Sequence, residues 1–140
     1  MHTYIDKKSP ELTYAGIAAL KQSYVDAGQN VLLVDAGDHI QGTAYGSMDD
    51  GETIIKLMSE AGYDLATPGN HEFDYGMARA KAAMKEAAFP YVSCNWVDLR
   101  TGLKVLPSIK IFTIGGARIA FVGVTTPETF TKSTPAYFMN

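Results

Sequence analysis

Val31-Leu32-Leu33-Val34-Asp35-Ala36-Gly37-Asp38-His39 decides how this chain is read. A run that is apolar at every position reads as a central strand covered on both faces. It ends at a carboxylate and opens into a glycine-rich loop, Ala36 to Gly46. The pattern recurs downstream, where Tyr63 to Thr67 reads as a short second strand leaving into Pro68-Gly69-Asn70-His71-Glu72-Phe73-Asp74. Between the two, Ile54, Ile55, Leu57 and Met58 predict a helix that starts near Asp50 and stops at Gly62.

The same reading extends to both ends. Ser9-Pro10-Glu11 carries the cap, the first-position proline and the first-turn acid of a helix start. Ile17, Leu20 and Tyr24 follow at helical spacing, with Gly28 as the stop. A third helix is expected over residues 76–88, ended by Pro90, and Tyr91-Val92-Ser93 reads as a third strand. Ile109–Ile114 and Arg118–Thr125 flank Gly115-Gly116, a two-residue hairpin signal. The expected fold is α/β, three βα-type units followed by a β-hairpin.

Composition narrows the function. The 140 residues include 12 Lys and Arg against 15 Asp and Glu, a net charge of −3, with no basic run longer than Lys7-Lys8. That argues against a nucleic-acid groove or an anionic membrane surface. Apolar runs such as Ile119–Val124 are too short to span a bilayer. Cys94 is the single cysteine, so neither an internal disulfide nor a cysteine metal cluster can form.

In open α/β sheets, ligands bind beyond the carboxyl ends of strands. Both strand exits place glycine directly before a side chain able to bind metal: Gly37-Asp38 and Gly69-Asn70. The two oxygens of Asp38 can bridge ions roughly 3.5–4 Å apart, and Asn70 offers a neutral amide oxygen. His71 reads either as a ligand or as a residue facing substrate. Asp74, three residues on, can fix the tautomer of an imidazole. Each feature alone has a plainer reading: a turn, a helix cap, loop chemistry. His39 reads as a pocket-wall residue and Asp35 as a strand-end hydrogen bonder. Asp49-Asp50-Gly51-Glu52 reads as a helix cap, since it lacks the ligand spacing of a calcium loop. Met48, Met58, Met77 and Met84 read as core, and Trp96 as packing. Two such loops at successive strand ends favour a site.

Asp35-Ala36-Gly37-Asp38-His39-Ile40-Gln41-Gly42-Thr43 resembles the DAGD-x-x-QGT segment of the 5′-nucleotidases, within the calcineurin-like metallophosphoesterases. Gly69-Asn70-His71-Glu72-Phe73-Asp74 is similar to their GNHEFD signature, and Gly115–Pro127 resembles a later stretch of the same family. His2-Thr3-Tyr4-Ile5 fits the second half of the family's opening Asp-x-His pattern. The resemblance implies part of a four-layer α/β/β/α sandwich, with residues 1–140 forming the N-terminal portion of a metallophosphoesterase domain, incomplete at both ends and without a second domain.

It also implies roles. Asp38 would bridge two divalent ions (Zn, Mn, Co or Mg), Asn70 would bind one of them and His2 the other. His71, held by Asp74, would stabilise phosphoryl oxygens, so that Asn70 and His71 both meet substrate. The implied activity is hydrolysis of phosphate esters, nucleoside 5′-monophosphates or UDP-sugars, by water attacking phosphorus in line. Pro68 departs from the aliphatic residue usual in the family. The family's Gly-His-x-His motif has no counterpart, since the histidines are His2, His39 and His71. Three alternatives therefore stand: an inactive binding or packing module, a cyclic-nucleotide phosphodiesterase relative, and a plain α/β binding domain. The partners implied are a small nucleotide or phosphate ester, with self-association or the remainder of the domain covering exposed strands. Family relatives suggest a periplasmic, cell-surface or secreted location.

Overall fold

A computed structural model describes residues 12–134 and 136. Helix α1, Tyr14–Asp26, is capped by Thr13, whose hydroxyl accepts from the Gly16 N–H at 3.1 Å. The expected start at Ser9-Pro10-Glu11 lies outside the described residues. Of the apolar positions on α1, Tyr14 is buried and Ile17 packs against the core, but Leu20 and Tyr24 are exposed. The helix is fixed instead by a polar clamp: Lys21 Nζ donates to Gly62 O at 2.5 Å and to Asp64 Oδ2 at 2.6 Å.

Strand β1 is only Val34–Asp35, paired in parallel with β2, Leu65–Ala66. Val31 to Leu33 are half-buried and Val34 is exposed, so the run is not covered on both faces by described residues. The third expected strand survives as one parallel bridge, Ala66 to Tyr91, flanked by Val92 N–H donating to Ala66 O at 3.0 Å.

Within the glycine-rich loop sits a short helix the sequence did not predict, α2, Ala44–Ser47. Helix α3, Glu52–Glu60, follows as expected and buries Ile54, Ile55 and Met58 on one face. Asp49 supports its first turn, accepting from Thr53 N–H at 3.0 Å and Thr53 Oγ1 at 2.5 Å. Met58 is core, whereas Met48 is 82% exposed and fills nothing. Helix α4, Met77–Glu86, begins after Gly76, and buries Ala80 and Ala83.

The core gathers Ile40, Ile54, Ile55 and Met58 around an aromatic run, Tyr14, Tyr63, Phe89 and Tyr91. Successive ring centroids in that run lie 6.5, 6.1 and 5.4 Å apart. Strands β3, Ile109–Ile114, and β4, Ala117–Val122, form the expected antiparallel hairpin in a second sheet. Residues 91–95 join it to the first sheet: Ser93 N–H donates to Pro107 O at 2.9 Å and Cys94 N–H to Gly123 O at 2.7 Å. Ile109, Ile111 and Val122 remain exposed on the hairpin. The last element is α5, Thr129–Lys132. No described helix is long and apolar enough to cross a membrane.

Candidate functional site

The loops leaving β1 and β2 abut so closely that neither glycine could carry a side chain. A Cβ on Gly37 would lie 2.2 Å from Gly69 N, and one on Gly69 would lie 2.2 Å from Asp38 Oδ1. This contact puts the two predicted donors on neighbouring turns. Asp38 takes a left-handed backbone, φ 62°, a conformation that aspartate tolerates better than most residues. Its Oδ1 accepts from the His71 N–H at 3.0 Å, which starts a short 3₁₀ helix, His71–Phe73.

The 3₁₀ turn separates its side chains. His71 Nδ1 meets Asp74 Oδ2 at 2.7 Å, in the pairing expected of a tautomer-fixing carboxylate. Asp74 Oδ1 in turn accepts from Ser133 Oγ at 2.8 Å, so the end of α5 borders the site. Asn70 is buried, and its side-chain amide N–H reaches Lys132 O at 3.5 Å. Sequence reasoning missed Ser133 and Lys132, for which no local signal exists.

It also missed Glu72. This residue is 3% exposed and turns inward, where Oε2 accepts from Asp38 N–H at 2.7 Å and Gly69 N–H at 2.6 Å. Oε1 accepts from His39 N–H at 2.8 Å. Its neighbours, His71 and Phe73, gave no local signal that this carboxylate turns inward.

His39 does not line a pocket wall. It is wholly buried, bonded through Nδ1 to Asp35 Oδ1 at 2.9 Å and through Nε2 to Tyr91 OH at 2.8 Å. Burial opposes charge on this ring, but Glu72 and Asp35 outweigh it and raise its pKa. Burial likewise works to raise the Asp35 pKa, yet His39 and the Gly37 N–H, donating at 2.8 Å, hold it below the usual carboxylate value. Asp35 is thus the strand-end hydrogen bonder expected. Burial first, then Glu72 and Asp35, push the Tyr91 hydroxyl well up.

The donor chemistry fits a hard divalent ion: a carboxylate and an amide oxygen on facing turns, with only one oxygen of Asp38 taken by a described hydrogen-bond donor. Among the described residues, no three His, Cys, Asp or Glu side chains converge to hold an ion by themselves. His2, the further expected ligand, lies outside the described residues. Beside the site opens an apolar cleft of about 620 Å³, lined by Phe73, Met77, Trp96 and Phe130 among others. Asp38, Asn70, His71 and Asp74 do not line it. Trp96 packs edge-on against Phe73, centroids 4.9 Å apart, as a packing residue would.

Known proteins are similar to this chain over most of its length. A snake venom 5′-nucleotidase from Gloydius brevicauda is 36% identical over 135 residues, 90% of this chain and 23% of its own length. Protein UshA from Salmonella pullorum is 32% identical over 122 residues, 87% of this chain and 22% of its own. The crystal structure of a 5′-nucleotidase precursor from Thermus thermophilus superposes with a TM-score of 0.75 at 33% identity, covering 88% of this chain and 25% of that one. The chain therefore spans about a quarter of the length of these relatives. A family description, "Calcineurin-like phosphoesterase", matches residues 9–136, both loops included, and the chain belongs to that family.

Proposed function

We propose that these residues contribute to a metal-dependent phosphate-ester hydrolase of the 5′-nucleotidase kind, acting on nucleoside 5′-monophosphates or UDP-sugars. The observation that carries this reading is the run Asp38–His71–Asp74, in which one loop's carboxylate anchors the other and a second carboxylate orients the imidazole. Family membership supports divalent ions as the resident cofactor. Asp38 and Asn70 would hold them, with Asp38 shared between two, and His2 would supply a further nitrogen. Those ions would balance charge on the attacking and leaving oxygens when bound.

The chain's own side chains then have separable tasks. Asp74 keeps a proton on His71 Nδ1, so Nε2 is the nitrogen that would meet a phosphoryl oxygen. From there it could donate to the added negative charge of a transition state. Asn70 adds a donor oxygen to a cation without adding charge.

The relatives are about four times longer, and among the described residues Asp38 and Asn70 are the two expected donors, on neighbouring turns. We therefore infer that the remaining ligands and the other layers of an α/β/β/α sandwich come from outside residues 1–140. Self-association through the exposed hairpin would be the alternative cover. Similarity to a venom protein supports an exported location. The 140 residues assayed with Mn²⁺, Zn²⁺ or Co²⁺ on AMP and an aryl phosphate should turn over little or nothing. Robust turnover lost on His71→Ala would refute that expectation, while metal binding indifferent to both Asp38→Ala and Asn70→Ala would favour a binding domain with no metal chemistry.

A further inference from the structure

We propose that Glu72 is a positioning residue for the metal-donor loops: its buried carboxylate sets the aim of the Asp38 side chain and the separation of Asp38 from Asn70. The inference rests on the hydrolase reading above. Three short hydrogen bonds carry it, from the N–H groups of Asp38, His39 and Gly69, at 2.7, 2.8 and 2.6 Å. Two of these donors belong to one loop and the third to the other, so one side chain ties both exits together.

The left-handed turn at Asp38 explains why an anion belongs there. Successive N–H groups around a residue of positive φ point into one concavity, a nest that takes a negative group. Glu72 fills that nest from inside the protein. It thereby stabilises the backbone conformation that directs the Asp38 carboxylate outward, toward His71 N–H and the proposed ions.

The distribution of bonds demands a carboxylate. Oε2 accepts from Asp38 and Gly69, while Oε1 accepts from His39, lies 3.5 Å from Ile40 N, and sits 3.4 Å from His39 Nδ1. A glutamine of the same shape would carry one NH₂ group, and either orientation would turn it against backbone N–H donors. Aspartate keeps the acceptor-only chemistry but reaches one methylene less.

That contrast makes the test. Mn²⁺ affinity, followed by calorimetry alongside metal-free urea denaturation, should fall about 10–100-fold in Glu72→Gln, the range typical for loss of a group that orients a ligand. Glu72→Asp should retain more affinity than Glu72→Gln. A residue that merely filled space would give the reverse order, because glutamine is the better isostere, and that order would overturn the proposal. Asp38→Ala in the same titration separates the two readings. If it binds Mn²⁺ as the parent does, the metal reading fails. If it loses affinity while Glu72→Gln does not, only the positioning role fails. Where a Glu72 variant does not fold, amide hydrogen exchange in the unaltered metal-free chain decides: the Asp38, His39 and Gly69 amides should be among the slowest in their loops, and exchange as fast as in open loop would sink the idea.

Discussion

At Gly69 the absent side chain is itself a structural element. A methyl group there would sit 2.2 Å from Asp38 Oδ1 and 2.8 Å from Asp38 N, inside both the carboxylate and its backbone. Neither neighbour can retreat easily, since Asp38 N–H is bonded to Glu72 and Oδ1 to His71 N–H. Gly69→Ala should therefore cost about 1–3 kcal/mol, the usual range for forced overpacking, read by urea denaturation. It should also weaken Mn²⁺ binding by displacing the donor. The pairing of His71 with Asp74 was legible in the sequence, because a three-residue spacing in a short turn leaves the two side chains little choice. Glu72 and His39 were not. Their roles depend on backbone N–H directions and on Tyr91, 52 positions from His39 in sequence, neither of which composition or spacing encodes.

Elements with strong local signals formed where the residues pointed. Helix α3 has its apolar face and its terminal glycine, and the hairpin has its Gly-Gly turn. Elements defined by burial fared worse. The apolar run Val31–Val34 supplies only the first residue of a two-residue strand, because hydropathy shows what a strand could bury, whereas pairing depends on partners distant in sequence. Helix α1 makes the same point: Leu20 and Tyr24 have helical spacing, yet Lys21 holds the helix down. The hairpin turn offers an internal comparison, with Gly115 at φ 56° and Gly116 at φ 80°. Alanine at Gly116 meets nothing within 4 Å and should cost only the left-handed penalty, about 1–2 kcal/mol. Alanine at Gly115 should cost more, because its Cβ would also lie 2.4 Å from Asn30 Nδ2 and must push that flexible side chain aside. Paired denaturation curves measure the difference, and equal losses would show that the Asn30 contact carries no weight.

Across the whole molecule, the aromatic core doubles as a titratable one. Burial, with Asp35 adding to it, pushes the Tyr63 hydroxyl up to about 12. Tyr14 and Tyr91 are raised as well, chiefly by burial. The unfolded chain releases these protons near pH ~10. A folded-state value above the unfolded one stabilises the protein fully below the unfolded pKa and ceases to do so as pH climbs through the folded value. Stability should therefore decline between roughly pH 10 and 12 in step with the phenolate absorbance. Tyr63→Phe should shallow that decline, as paired urea titrations across the window would reveal.

Tyr91 is at once the parallel bridge to Ala66 and the hydroxyl that completes the chain Asp35–His39. Sheet pairing and the burial of that imidazole therefore draw on one residue. A nascent chain that has emerged only as far as Phe89 holds both loop motifs yet has no Tyr91 with which to shield His39. The buried surroundings of His39 are complete only once this tyrosine, well downstream of the motifs it serves, has been made.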